Sequence, residues 1–398
     1  NFSEILSKLI IYRNFSNREI YSIENNVDFT NPFLKNNDFK IAAEILKKNI
    51  DNQSKILVIG DYDVDGCIST SLIINFLNKH NINSSYYIPD RLKDGYGASI
   101  KLIKKLVKEK FPKLIIMVDC GSNSNNSVEF LKNNKIDSII IDHHNISKPY
   151  PKANIVINPK KECDYRHYDY YCSAFLTYLF LDFYNRKNNS KITIADQLIY
   201  VALATLADVM PLRENNRFLL KKIIKRFDIN KNLFFKMIFK LNNLNKKLDF
   251  DDLSYIIAPT INSAGRISNA NNVIKLLTSS NEKNINEITN KLFEFNKKRK
   301  IIENIVINKI KFKKLTHEKG IIFYFDNEIP EGIIGIIASK LKEFFNKPAI
   351  VFTKSKDLIK GSARSVSSFN IGQYINRAIN NKILISGGGH NLAAGLTL

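Results

Sequence analysis

The chain has 398 residues, 44% of them hydrophobic and 25% charged, the balance of a soluble globular protein long enough for two or three domains. No apolar run reaches the roughly 18 residues of a membrane-spanning helix, and Cys67, Cys120, Cys163 and Cys172 form neither a C-x-x-C pair nor a zinc-finger spacing, so they read as reduced thiols of a cytoplasmic protein. Lys and Arg outnumber Asp and Glu by 60 to 38, and the net charge of +22 attracts polyanions; a Lys-, Asn- and Ile-rich composition of the kind AT-rich genomes produce gives the same excess, so the charge supports nucleic-acid binding without establishing it.

Residues 1–52 are expected to form helices and loops without a chemical motif. From Lys55 the pattern alternates. Lys55–Gly60 is a short apolar strand, and Cys67–Lys79 places Ile68, Leu72, Ile73, Phe76 and Leu77 on one helical face. Ser84–Ile88 is a second strand, Ile100–Lys108 a basic helix, Leu114–Val118 a third strand and Ser138–Ile141 a fourth. Strands separated by helices predict βαβ units and a mainly parallel sheet, whose active site lies beyond the carboxyl ends of its strands. Residues 172–240 read as mostly helical. In the stretch 281–316, Ile288, Leu292, Phe295, Ile302 and Ile305 recur at helical spacing and predict a long connecting helix. Gly320–Phe325 and Pro348–Phe352 then open a second α/β unit. The expected fold class is α/β: a mainly parallel-sheet catalytic domain over 53–280, the connecting helix over 281–316, and a smaller α/β domain over 317–398.

Chemistry collects at the strand ends. Asp61, Asp63 and Asp65 follow the first strand in Gly60-Asp61-Tyr62-Asp63-Val64-Asp65-Gly66. Alternate residues of an extended segment point the same way, so three carboxylates would converge and require a hard cation. An EF-hand calcium loop is the other pattern of this kind, but its twelfth position, a Glu in that motif, is here Leu72 on an apolar helix. Asp119 follows the third strand, and Asp142, His143 and His144 follow the fourth. A lone His is usually structural; three acid- or imidazole-bearing strand ends on one sheet edge point to a metal cluster suited to Mn2+, or to Mg2+. Asp208 ends the apolar helix Ile199–Leu206, where the helix dipole disfavours an acid.

Asp61–Gly66, Val118–Gly121, Asp142–His144 and Ala207–Leu212 resemble, in order and spacing, the four motifs of the DHH phosphoesterase superfamily. The resemblance implies that Asp63, Asp119 and Asp208 hold one divalent cation with Asp61 nearby, that Asp65 and His143 hold a second, and that Asp119 bridges both. His144 would face the scissile phosphate. Two metals about 3.5–4 Å apart would activate a water for in-line attack. No G-x-x-x-x-G-K-[ST] segment is present, so ATP-driven work is not suggested.

Near the end, Gly387, Gly388, Gly389 and His390 resemble the terminal GGGH motif of the DHH-associated domain, which binds nucleic acid; by composition alone a plain turn reads equally well. Three further phrases resemble the RecJ family of single-strand-specific exonucleases: the loop Pro89–Gly97, an asparagine-to-arginine turn over Ile261–Arg266, and a serine–arginine turn over Gly361–Ser365. They imply that Arg91, Arg266, Ser362 and Arg364 collect around a 5′-phosphate, although each Arg alone also reads as a surface residue. Tyr96 has a ring to stack on a base, and core packing would suit it equally.

The family's Trp-His ahead of Gly332–Ala338 is here Ile329-Pro330, a departure where a DNA contact would otherwise be inferred. The family also continues into an OB-fold that this sequence, ending at Leu398, does not contain, so either a truncated sequence or a catalytic core is expected. The resemblance implies a 5′-to-3′ exonuclease of DNA repair and recombination, with a cleft between the two domains that admits single-stranded DNA. It further implies a monomer in the cytoplasm, associated with the nucleoid, served by a single-strand-binding protein and a helicase. Alternatives on the same motifs are an oligoribonuclease or cyclic-dinucleotide phosphodiesterase, a catalytically inactive replication scaffold, and a pyrophosphatase.

Overall fold

A computed structural model describes residues 2–91, 93–95, 97–310 and 320–398. The described residues form two compact units, one of residues 1–262 with 269–291 and the other of residues 263–268 with 292–398.

The first unit is built on five parallel strands, β1 (Ile56–Ile59), β2 (Ser84–Tyr87), β3 (Leu114–Val118), β4 (Asp137–Ile141) and β5 (Ile155–Ile157), in the order β2-β1-β3-β4-β5. Residues Ile56 to Ile59 pair with Ser84 to Tyr87 on one side and with Leu114 to Met117 on the other. Helices cover both faces. Ile100–Lys110 and Asn125–Asn133 close one core with Leu102, Leu106, Val128 and Leu131; the almost wholly buried helices Val64–Lys79 and Ser173–Lys187 pack against the strands as well. Burial on both faces is why β1, β3 and β4 read as unbroken apolar runs rather than alternating ones. β5, three residues long, escaped the sequence reading.

The second unit holds a mixed sheet of β6 (Ile322–Phe325), β7 (Ala349–Ser355), β8 (Leu358–Arg364), β9 (Ser386–Gly389) and β10 (Ala393–Thr397), ordered β6-β7-β8-β10-β9. Only β6 and β7 pair in parallel. Helix Ile334–Phe345 builds one core with Ile322, Val351 and, from the long helix Glu282–Lys309, Val306; helix Ile371–Asn380 builds the other with Ala363 and Leu396. Two expected turns have other shapes. Ile261–Arg266 lies inside the helix Ala258–Ile267, and Gly361–Arg364 belongs to β8, because each is closed by hydrogen bonds to partners distant in sequence or along the helix. No helix among the described residues is long and apolar enough to cross a membrane.

Candidate metal centre

The carboxyl ends of β1, β3 and β4 carry Asp61, Asp119 and His143 to one edge of the sheet. The Asp61–Asp65 segment does not converge by extended alternation. The chain turns helical at Asp63, which is the N-cap of Val64–Lys79 and accepts from the Gly66 amide at 3.0 Å, while Asp65 sits in the first turn. Gly66 lets this happen: a Cβ there would lie 2.5 Å from the Asp61 backbone nitrogen and oxygen. The result is a carboxylate pair at a helix N-terminus, where the macrodipole offsets part of their charge.

Asp65 is buried and accepts from the amides of Ser173 and Ala174, both at 2.8 Å, at the start of another helix. The Ser173 hydroxyl donates to Asp119 Oδ1 at 2.9 Å. Asp119 itself stands in the left-handed region at φ 58°, which Asp adopts more readily than most side chains. Its Oδ2 is buried with no hydrogen-bond partner. His143 Nε2 lies 3.3 Å from Asp208 Oδ2, 3.5 Å from Asp119 Oδ1 and 3.7 Å from Asp65 Oδ2. Asp208 caps the carboxyl end of the helix Leu198–Ala207.

Three triads of ligand atoms fall within 4.8 Å of one another: Asp61, Asp63 and Asp119; Asp65, His143 and Asp208; and Asp119, His143 and His144. Asp208 falls in one triad with Asp65 and His143. Asp119 is common to two triads, as its position between the β1 and β4 ends requires.

The electrostatics agree with a site shaped for cations. Burial and the neighbouring Asp63 charge push Asp61 up to about 8, and burial with the same neighbour pushes Asp65 up to about 6. Burial and Asp65 raise Asp208 to about 8 and Asp119 well above the usual carboxylate range. Hard oxygen ligands with one imidazole, an orphaned buried carboxylate oxygen and like charges that repel one another fit a pair of divalent ions.

Asp142 had no assigned role. Its Oδ1 accepts from the amides of His143 and His144 and from His144 Nδ1 at 2.8 Å; its Oδ2 accepts from the Ser122 amide. Burial opposes its ionisation, yet the His144 hydrogen bond and charge hold it well below the usual range. In return, although burial works against the imidazolium, Asp142 holds His144 up to about 9. Ser173 was likewise missed, as was Asn262, whose Oδ1 accepts from the Val64 amide at 3.1 Å and so seats the Asp63–Asp65 turn. A strand-end acid directly before two histidines was a usable signal for Asp142; no local signal marks Ser173 or Asn262.

Arg91 lies with its guanidinium 4.2 Å from the Tyr62 ring centroid, and its Nε is buried without a hydrogen-bond partner. Tyr96 falls outside the described residues. In the second unit, Arg364 donates to Ser362 Oγ at 3.2 Å, and both stand on one face of β8 against the first turn of helix Ile334–Phe345. A Cβ at Gly335 would come within 3.0 Å of Arg364 Nη2 and 3.1 Å of Ser362 Oγ, so glycine allows that approach. Arg266 donates to the carbonyl of Gly332, just ahead of the same helix. Arg266, Ser362 and Arg364 thus gather around one helix N-terminus. Gly387–Gly389 form the exposed edge strand β9, hydrogen-bonded to β10, rather than an open turn. His390 continues that ladder through its amide to Ala393.

Residues 55–206 match the DHH family, N-terminal domain, and residues 317–398 match the DHHA1 domain. The chain is 30% identical over 411 residues to the single-stranded-DNA-specific exonuclease RecJ of Salmonella typhimurium, covering 98% of this chain and 71% of that protein. It is 30% identical over 417 residues to RecJ of Bacillus subtilis and spans half of that relative's length. Among solved structures, RecJ in complex with Mn2+ from Thermus thermophilus superposes with a TM-score of 0.80 at 23% identity, over 91% of this chain and 52% of that one. A manganese-bound exonuclease RecJ superposes at 0.77 and 25% identity, over 91% and 90%.

Proposed function

The chain belongs to the RecJ family of single-stranded-DNA-specific exonucleases, and from that premise we propose that it hydrolyses single-stranded DNA from the 5′ end, releasing 5′-mononucleotides in DNA repair and recombination. The observation that carries the reading is the convergence of Asp61, Asp63, Asp65, Asp119, His143 and Asp208 on one sheet edge, with the Asp119 Oδ2 left buried and unpartnered. These six side chains would hold two divalent cations, Mn2+ or Mg2+; two of the similar solved RecJ structures are bound to manganese. Cations bound there supply an activated water and stabilise negative charge on the leaving oxygen.

The chain's own groups do the rest. Ser173 fixes the Asp119 and Asp65 carboxylates. Asp142 occupies His144 Nδ1, so Nε2 is the ring nitrogen that would donate to a phosphate oxygen. In the second unit Arg266, Ser362 and Arg364, gathered at a helix N-terminus, would contact a 5′-terminal phosphate; in the first unit Arg91 would contact phosphate by itself. Gly388, Gly389 and His390 would track the strand backbone from the β9 edge. A single-strand-binding protein and a helicase would present the strand at the nucleoid.

The test is degradation of single-stranded DNA labelled at either end, with Mn2+, beside a dinucleotide and a duplex. Early mononucleotide release from the 5′ label with intact duplex is expected. Cleavage of the dinucleotide alone would assign the chain to short oligonucleotides instead.

A further inference from the structure

Beside the metal centre lies a hollow of about 330 Å³ that the metal chemistry does not use. Its walls are mostly apolar: Val209, Met210, Leu212 and Tyr255 line it together with the polar Ser254 and Asn262. It touches the catalytic cluster at two places through the chain. Val209 directly follows Asp208, and Asn262 holds the Val64 amide between Asp63 and Asp65. Any group seated there is one residue from carboxylates of both triads that contain Asp63 and Asp208.

Two features set this apolar surface apart from the buried core. Val209 is 85% exposed, Tyr255 72% and Leu212 39%, so these side chains add little to the core. The backbone carries a cost as well. The Val209 amide bonds to the Leu206 carbonyl and the Met210 amide to the Thr205 carbonyl, the paired bonds that close a helix through a left-handed residue. That residue is Val209, at φ 53°. Glycine suits the position, whereas a β-branched side chain is strained there. Tyr255, which lines the same hollow, stands on a π-helical stretch, Asp252–Ile257, a helix form that recurs at functional sites.

We infer that this hollow seats a nucleobase of the single strand next to the scissile phosphate, with Tyr255 as the stacking ring and Val209 as the opposing wall. The inference rests on the single-strand exonuclease reading and names a specificity contact within it. A base offers flat apolar faces to Tyr255 and Val209, and a polar edge to the lining residues Ser254 and Asn262. Duplex DNA keeps its bases stacked on one another, so a site that takes a base out of the stack selects for single strands.

The experiment uses the Mn2+-loaded chain, the variants Tyr255→Ala and Tyr255→Phe, and 5′-phosphorylated oligonucleotides carrying one abasic nucleotide at successive positions. The original protein should show, at one position near the first scissile bond, a kcat/KM roughly tenfold lower than on the unmodified strand, the scale of one lost base stack. Tyr255→Phe should keep that penalty. Tyr255→Ala should lose it, its rate on the unmodified strand falling to the abasic level. Cleavage with the same abasic penalty in all three proteins, or with none at any position, would overturn the inference alone and give the hollow to another occupant. No cleavage of any single strand by the original protein would bring down the exonuclease reading together with it.

Discussion

At the scale of single residues, the centre depends on groups that never need touch a metal. Asp142 accepts four hydrogen bonds, two of them from the amides of the histidine pair and one from His144 Nδ1. It is a positioning residue that also keeps His144 cationic. Asp142→Asn should lower turnover roughly 10- to 100-fold, the usual cost of losing a carboxylate partner behind a functional histidine. A merely structural loss would lower activity equally at every pH. The orienting role makes a sharper demand. His144 is held up to about 9 by Asp142 and is protonated below that value, so activity that uses its proton is lost as pH rises through about 9. In Asp142→Asn that alkaline limb should move down towards the ordinary histidine value of 6.5. An unmoved limb would assign Asp142 to folding only.

At the scale of elements, the ties between the N-terminal helices and the rest of the first unit include one saturated carboxylate. Glu19 is fully buried in the helix Asn17–Glu24, where it completes a capping box with Ser16. It accepts from Arg213 Nε at 2.8 Å and Nη2 at 3.0 Å, from the Ser16 amide, and from the Glu214 amide that opens the helix Glu214–Arg226. Burial works against the ionised form, but these donors outweigh it and hold the carboxyl below its ordinary value. Its stabilisation is therefore present above the unfolded pKa and lost as pH falls through the folded one. Glu19→Ala leaves two amides and a guanidinium without their acceptor and should cost about 3 kcal/mol in urea unfolding. Glu4→Ala, which breaks only the exposed pair with Lys8, should cost under about 0.5 kcal/mol. Equal effects would mean that the buried junction does not hold the N-terminal helices.

The same scale shows what could be read from sequence. β1, β3 and β4 were legible because unbroken apolar runs end in Asp61, Asp119 and Asp142, and a parallel sheet brings such ends to one edge. β8 and β9 were not. Leu358–Arg364 breaks after two apolar residues into Lys360-Gly361-Ser362, and Ser386–Gly389 is nearly all glycine; both resemble turns until β10 supplies the pairing between them. Ser173 and Asn262 reach the centre from 108 and 198 residues away along the chain, distances that no local pattern encodes.

At the scale of the whole molecule, the acidic cluster makes stability a function of both pH and cation. Burial and neighbouring carboxylates push Asp65 up to about 6 and Asp61 and Asp208 up to about 8 in the folded state, from an ordinary 3.8. The folded chain thus holds protons that the unfolded chain has already released. Stability contributed by those protons is complete below about pH 4 and is lost as pH rises towards about 8. His144 acts in the same direction, since its folded value of about 9 lies above the ordinary 6.5. Cations compete with these protons for the same oxygens, so they bind more tightly as pH rises and offset the loss. The chelator-treated protein should therefore melt at a lower temperature at pH 8 than at pH 5.5. Saturating Mn2+ should raise the melting temperature by roughly 3–5 °C at pH 8, from about 2.7 kcal/mol of linkage at a hundredfold excess over Kd, and by less at pH 5.5. A melting temperature that climbs with pH in the absence of metal would mean that the carboxylates are already compensated within the chain. The centre would then not be a cation site held open by repulsion, and the assignment of Asp61, Asp65, Asp119 and Asp208 as ligands would lose its electrostatic basis.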